Sequence, residues 1–252
     1  MSLEKIEIPV PRLRRRAGGI TLLISLAVVV VLSAKILYEH IYILKWIEQH
    51  DVGNTAGFKF WSWGNDRVDQ LAWLPQLLYR GPHHQLAIAA SAVGIAASLL
   101  VFGLFYASVS LKKNFGQHWI LILIWIPTLT LFTTALLYNF IEHGTTGRIN
   151  TWTLYRKGSP DAYNEYVHGW LDFESWSCGL REATSSIQNE TLPWKDTCYR
   201  SELGRWLLLP AWFAICGAIL VSWFAFRGLP GWRGNDVDEN EVEGDEGRVR
   251  LL

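Results

Sequence analysis

Three short pairs of histidine and glutamate side chains could carry chemistry in this sequence. Each pair stands at the edge of a long apolar run. Imidazole and carboxylate groups suit zinc or copper, and three converging helix ends could supply three or four ligands to one ion. The same groups could also act as a pH-sensing cluster in an acidic compartment. The candidate metal ligands are Glu39, His40, His83, His84, Glu142 and His143.

A simpler interpretation of these pairs is that they mark the membrane boundary. Polar residues must appear where helices leave the bilayer, and histidine is tolerated there. On this interpretation the six side chains face water and lipid headgroups in different directions. From the sequence alone we favour this membrane-boundary interpretation, and we therefore expect no cofactor and no stoichiometric zinc or copper.

The elements that position these pairs are four segments nearly free of charge. Each is about 20 residues long, which is the length needed to cross the hydrocarbon core of a bilayer. Lys35 is charged but lies near one end of the first segment, and Pro127 interrupts the third. The sequence therefore predicts four membrane spans, at 17–38, 85–111, 119–141 and 206–226.

The first span could instead belong to a secretory signal peptide, because basic residues followed by an apolar run describe both. The apolar run is long, however, and Leu32-Ser33-Ala34 is a poor match to a cleavage site. These two features favour a retained signal anchor.

Basic residues beside the spans predict the orientation of the chain. Lysine and arginine concentrate in the short cytosolic loops of membrane proteins. Here they precede span one, fill the loop between spans two and three, and follow span four, at Arg12, Arg14, Arg15, Arg16, Lys112, Lys113, Arg227 and Arg233. Both termini are then cytosolic, in the plasma membrane or the secretory pathway. The predicted regions outside the spans are a basic arm (1–16), outer loop one (39–84), a cytosolic loop (112–118), outer loop two (142–205) and an acidic tail (227–252).

This orientation decides the role of two cysteines. Cys178 and Cys198 fall in outer loop two, in an oxidising compartment where disulfides persist. Their spacing is unlike the C-x-x-C of thiol exchange or zinc knuckles. A structural disulfide closing a loop of this length contributes about 3 kcal/mol. Asn189 begins an Asn-x-Thr sequon in the same loop, which predicts a glycan on that side of the membrane.

Apolar spacing and small residues predict how the helices pack. Phe173, Trp176 and Leu180 recur at intervals of three and four, which predicts a short helix in outer loop two. The aromatic, glycine-flanked stretch at 57–64 predicts a turn or short hairpin in outer loop one. Ala90, Gly94 and Ser98 form a stripe of small residues in span two, where helices can approach closely. The expected fold is an all-α, four-helix membrane bundle with a small helical outer loop stapled by a disulfide.

Composition excludes several functions. The chain of 252 residues carries 23 basic and 23 acidic side chains, so it lacks the basic excess typical of nucleic-acid binding. Spans two to four contain no Asp, Glu, His, Lys or Arg, which argues against a pump or secondary transporter. Residues 235–247 are strongly acidic and without aromatic residues, which predicts a disordered tail.

The stretch LDFESWSCGL, followed by Cys198 and then by RWLLLP at the start of the last span, resembles four-span membrane proteins of filamentous fungi. That resemblance implies a fungal origin and no established activity. The topology also resembles that of tetraspanins and claudin-like proteins. The chain lacks the Cys-Cys-Gly of the former and the paired cysteines in outer loop one of the latter.

These features predict a non-catalytic organiser or accessory subunit that acts through its outer loops and tail. Its expected partners are the lipid bilayer and other membrane proteins, with no nucleic acid. The competing hypothesis is an integral-membrane enzyme that acts on a lipid or terpenoid at the outer boundary.

Overall fold

A computed structural model of the protein describes residues 12–51, 58–61, 68–72, 81–111, 117–146, 172–183 and 193–227. The elements in chain order are α1 (Arg12–Asp51), β1 (Phe58–Trp61), β2 (Val68–Ala72), α2 (His83–Leu111), α3 (Gln117–Thr145), α4 (Phe173–Ala183) and α5 (Pro193–Arg227). The predicted glycan site Asn189, the acidic tail beyond 227 and residues 1–11 of the basic arm lie outside the described residues.

Four helices, α1, α2, α3 and α5, are long and apolar enough to cross a membrane. Each turns large apolar side chains outward, among them Val31, Leu99, Leu123 and Leu220, which are all more than half exposed. An apolar surface of this kind is favourable in contact with lipid and unfavourable in contact with water. The chain is an integral membrane protein, and the predicted four-helix membrane bundle is confirmed.

The four spanning helices form a ring in which α1 packs between α2 and α5, and α3 closes the ring against both. The small residues of α2 lie inside it. Ala90 and Ser98 are buried, and a Cβ added to Gly94 would lie 2.8 Å from Cε2 of Phe132 on α3 and 3.0 Å from Oγ of Ser33 on α1. The missing side chain at Gly94 therefore lets three helices meet.

Two helices continue well past the predicted ends of their spans. Helix α1 runs to Asp51 although the span was expected to end at 38, and α5 begins at Pro193 although its span was expected to begin at 206. The hydrophobic signal marks only the part of a helix that faces lipid. Beyond it, both helices continue because they pack on α4 and on each other.

These extensions and α4 form a structure that we call the cap, consisting of α4 with residues 41–49 of α1 and 194–203 of α5. The predicted disulfide joins Cys178 on α4 to Cys198 on α5. Phe173, Trp176 and Leu180 are buried, and Trp46 from α1 lies with its ring centroid 5.3 Å from that of Phe173. The predicted helix and the predicted disulfide are thus confirmed, and the apolar face of α4 packs on the bundle.

The segment between α1 and α2, predicted as outer loop one, contains a two-stranded antiparallel hairpin of β1 and β2, with a register irregularity between Phe58 and Lys59. The first strand falls in the stretch for which a turn or short hairpin was predicted.

Candidate functional site

The base of the cap holds a continuous layer of polar side chains, at the level where α1, α2, α3 and α5 meet α4. Most of its members are buried despite their charge or polarity. We call this set the polar layer: Glu39, His40, His83, His84, Asn139, Glu142, His143, Asp172, Glu174, Arg200 and Arg205. It contains all six candidate ligands found in the sequence.

The expectation that the six side chains face water and lipid in different directions is wrong. Glu39, His40, His83, His84 and Glu142 are each between 1% and 7% exposed. The reason is the extension of α1 and α5 into the cap, which covers a level that the sequence placed at the membrane surface. The structure brings four of the six into one group and places Glu39 and His143 in neighbouring ion pairs.

We call that group the histidine cluster: His40 on α1, His83 and His84 on α2, and Glu142 on α3. Nδ1 of His40 lies 2.8 Å from Nδ1 of His84. Nδ1 of His83 lies 2.8 Å from Oε1 of Glu142, and the rings of His83 and His84 have centroids 3.9 Å apart. Three helices thus bring three imidazoles and one carboxylate together.

Local structure explains why these side chains point inward. His83 and His84 occupy the first turn of α2, which begins after Pro82 and whose Leu86 N–H donates to the Pro82 carbonyl at 2.7 Å. Asn139 on α3 donates to the His83 carbonyl at 3.3 Å and ties the two helices together. Gly204 on α5 packs against His40, and a Cβ added there would be in ordinary van der Waals contact with the His40 Nε2 atom, at 3.4 Å.

Glu39 belongs to a separate chain of charges between α1 and α5. Its carboxylate pairs with Lys35 on the preceding turn and with Arg200 on α5, the latter at 3.2 Å. Arg200 also binds Asp196 at 2.7 Å and lies over the ring of Tyr42. The buried carboxylate of Glu39 is thus neutralised by two cations, and its position is that of a structural contact between helices.

His143 belongs to a second network, which we call the clasp: His143, Asp172, Glu174 and Arg205. Nδ1 of His143 lies 2.8 Å from Asp172, and Arg205 donates to both oxygens of Glu174 at 2.8 and 2.6 Å. The clasp therefore joins the end of α3 to the start of α4 and both to α5. It holds α4 in place on the bundle.

Asp172 also caps α4. Its Oδ1 accepts the backbone N–H of Ser175 at 3.0 Å and the hydroxyl of Thr146 at 3.0 Å. Burial alone raises the pKa of the Asp172 carboxyl, but hydrogen bonds from His143 and Ser175 outweigh burial, and the pKa lies below its ordinary value of 3.8. Asp172 is therefore a charged carboxylate that links a helix N-terminus to the end of α3.

Five of the eleven residues of the polar layer were not predicted from the sequence: Asn139, Asp172, Glu174, Arg200 and Arg205. Asp172 and Glu174 fall in the stretch LDFESWSCGL and Arg205 begins RWLLLP, but neither stretch assigned them a role. One signal was available for Asp172, because an aspartate just before an apolar-periodic helix is a preferred N-cap. Asn139 lies inside a predicted span, where a polar amide buried between helices is itself a signal of interhelical bonding.

Chemically, the two networks differ. In the clasp, each carboxylate is held by a cation or by a helix N-terminus, which is how buried charges are stabilised. In the histidine cluster, Nδ1 of His40 and Nδ1 of His84 lie within hydrogen-bonding distance, so one of them carries the proton and the other accepts it. The clasp is suited to holding the cap. Ligand atoms of His143, Asp172 and Glu174 lie within 4.8 Å of one another, but Arg205 already occupies both oxygens of Glu174.

Comparison with known proteins finds no relative: no protein-family model, curated protein sequence or solved structure matches this chain.

Proposed function

We propose that this integral membrane protein is a non-catalytic organiser or accessory subunit that presents its cap, and the acidic segment beyond 227, to other membrane proteins. The proposal rests on how the buried carboxylates of the polar layer are held. Glu39, Asp172 and Glu174 are each held by cations or by backbone and hydroxyl donors at the junction of cap and bundle. They are positioned to stabilise the cap rather than to exchange protons with a substrate.

The architecture supports the same role. Within the cap, α4 is held to the extensions of α5 and α1 by the disulfide and by the aromatic group of Trp46, Phe173 and Trp176. The clasp joins α4 to the bundle through His143 and Arg205. Three independent kinds of contact make it a rigid platform, and rigid surfaces bind partners with little loss of conformational entropy.

We place both termini in the cytosol and the cap in the lumen or outside the cell. The distribution of lysine and arginine supports this orientation, and the Cys178–Cys198 disulfide supports an oxidising compartment for the cap. We further propose, from the Trp-x-Cys stretch around Cys178, that the chain belongs with the four-span membrane proteins of filamentous fungi.

The proposal is tested by extracting the tagged full-length chain from native membranes in polymer-bounded nanodiscs and measuring the composition of the particles by native mass spectrometry. We expect a second membrane protein in fixed ratio to the chain. Glu174→Gln, which loosens the cap, should insert normally but lose that partner. Arg181→Gln changes an exposed residue of the same helix and is the matched control.

Particles that contain the chain alone, together with turnover of a supplied lipid or terpenoid, would contradict the proposal. That outcome would make the enzyme the leading hypothesis.

A further inference from the structure

Two imidazoles of the histidine cluster join α1 to the start of α2 through one hydrogen bond. Nδ1 of His40 lies 2.8 Å from Nδ1 of His84, and both rings are buried. The second nitrogen of each ring, Nε2, is also buried and has no hydrogen-bond partner among the described residues. On α5 the ring of His40 packs against Gly204, which brings no charged side chain. The contact between the two helices therefore depends on how many protons the two rings carry.

The number of protons sets whether this hydrogen bond can exist. When both rings are neutral, one Nδ1 donates and the other accepts. A charged imidazole carries a proton on each nitrogen. If both His40 and His84 are charged, two N–H groups face each other and neither nitrogen can accept, so the hydrogen bond is lost. A charge on one ring alone is already unfavourable, because a buried charge without a partner is costly.

The charged groups near the pair are bound to other residues. On α3, Oε1 of Glu142 lies 2.8 Å from Nδ1 of His83. Glu39, next to His40 on α1, is paired with Lys35 and with Arg200 of α5. The ring centroids of His83 and His84 are 3.9 Å apart, so a charge on His84 would lie beside another imidazole. Among the described residues, neither ring of the pair has a carboxylate to stabilise its charged form.

We propose that His40 and His84 form an acid-sensitive latch, which holds α1 against the start of α2 near neutral pH and releases it when both rings become charged. In the released state the rings reach water, where the ordinary pKa of histidine is about 6.5. That state binds up to two more protons than the latched state. The latched state is therefore fully stable above about pH 6.5 and loses stability as the pH falls below that value.

The position of the latch gives its release a consequence for the cap. Residues 41–49 of α1 continue from His40 into the cap, so separating α1 from α2 changes how the cap lies on the bundle. The ligand of this device is the proton. In the part of the chain that the structure describes, the group whose ligand atoms could share a metal ion is the clasp, and the latch does not belong to it.

The test measures access of a reagent to a buried position beside the latch. Ala87, one turn after His84, is fully buried, and Ala87→Cys is made in a full-length Cys216→Ser chain in nanodiscs. Its reaction with 4,4′-dithiodipyridine is divided by that of Gln85→Cys, an exposed position on the same helix, to correct for the pH dependence of the reagent. We expect this relative rate to rise by up to about 600-fold from pH 7 to pH 5, since two protons are bound on release.

Variants of the latch separate its response from other effects of acid. In the Ala87→Cys chain, His84→Asn keeps a side chain that can hydrogen-bond to His40 but cannot titrate, so the rise should fall to about 25-fold. His143→Gln removes an imidazole of the clasp and should keep the full rise. A relative rate that does not change with pH, an unchanged rise in folded His84→Asn, or its loss in His143→Gln would each overturn the proposal.

Nuclear magnetic resonance of ¹⁵N-labelled imidazoles in the wild-type protein provides a second measurement that needs no variant to fold. The chain contains seven histidines, so the spectrum is small enough to follow. We expect two neutral rings linked through Nδ1 at pH 7, and loss of that link as both become charged below about pH 6.5. A charged ring at pH 7, or a link that persists at pH 5, would overturn the proposal. The latch does not depend on whether the cap binds a protein partner.

Discussion

Arg205 on α5 donates to both carboxylate oxygens of Glu174 on α4, at 2.8 and 2.6 Å, in the buried junction between cap and bundle. A planar guanidinium and a carboxylate fit each other in this two-bond geometry, which fixes direction as well as distance. The same two helices are also joined by the Cys178–Cys198 disulfide. It therefore sets the angle at which α4 lies on the bundle.

Breaking this pair should loosen the cap. Glu174→Gln leaves the Arg205 charge largely buried with a neutral partner, and we expect a loss of about 3 kcal/mol in the stability of the cap. Hydrogen exchange of α4, measured by mass spectrometry in nanodiscs, reports that loss locally. Arg181→Gln on the exposed side of α4 should change exchange by less than about 0.5 kcal/mol. Equal exchange in the two variants would show that the pair contributes nothing.

The disulfide gives a prediction about additivity. Cys178→Ser and Cys198→Ser each remove the same bond, so each should lower stability by about 3 kcal/mol, and the double variant should be no worse than either. Denaturant unfolding of the purified protein measures all three. Losses that add in the double variant would contradict a single shared bond.

Close packing of α2 is tested at two glycines of the same helix. Gly94→Ala places a methyl group 2.8 Å from the Phe132 ring and should destabilise the bundle by about 1–3 kcal/mol. Gly103→Ala is the matched control, because nothing lies within 4 Å of its added Cβ. Alanine favours the helix there, so stability should hold or rise slightly. Detergent-induced unfolding of both variants decides whether Gly94 is a true contact point.

The sequence predicts features whose signal is local or repeated. Four apolar runs specify four spanning helices, because no other structure satisfies the backbone of such a segment in lipid. Phe173, Trp176 and Leu180 predict α4 because they return to one helix face. The pairing of Cys178 with Cys198 follows once both are placed in one outer loop, since Cys216 lies within a span.

What the sequence does not predict depends on contacts between distant elements. His40 and His84 are separated by 44 residues, and their contact depends on how α1 is rotated against α2. The residue pattern of neither helix specifies that rotation. The extensions of α1 and α5 are likewise stabilised by α4, so the apolar signal alone ends them too early.

The proposed orientation predicts the accessibility of the termini. Tags placed at either end of the chain should be digested by protease added to sealed microsomes, because positively charged segments remain cytosolic. Asn189→Gln should lose a mass that glycosidase removes from the wild-type protein. Thr191→Ala, which destroys the same sequon and leaves Asn189 in place, should give the same loss. Protection of either terminus would reverse the orientation.

The last prediction concerns acid. The folded pKa of Asp172 lies below its ordinary value of 3.8, so its charged form stabilises the cap fully above that pH. The contribution is lost as the pH falls from 3.8 through the lower folded pKa, because protonation removes the contact with His143 and weakens the cap of α4.

Asp172→Asn should therefore have a less stable cap at pH 7, with a smaller further loss on acidification. Trp46 and Trp176 pack together in the cap, so tryptophan fluorescence followed from pH 7 to pH 2.5 measures its unfolding. Glu202→Gln, at an exposed position on α5, should keep the acid transition of the wild-type protein. An identical acid transition in Asp172→Asn and wild type would show that this carboxylate does not couple the cap to pH.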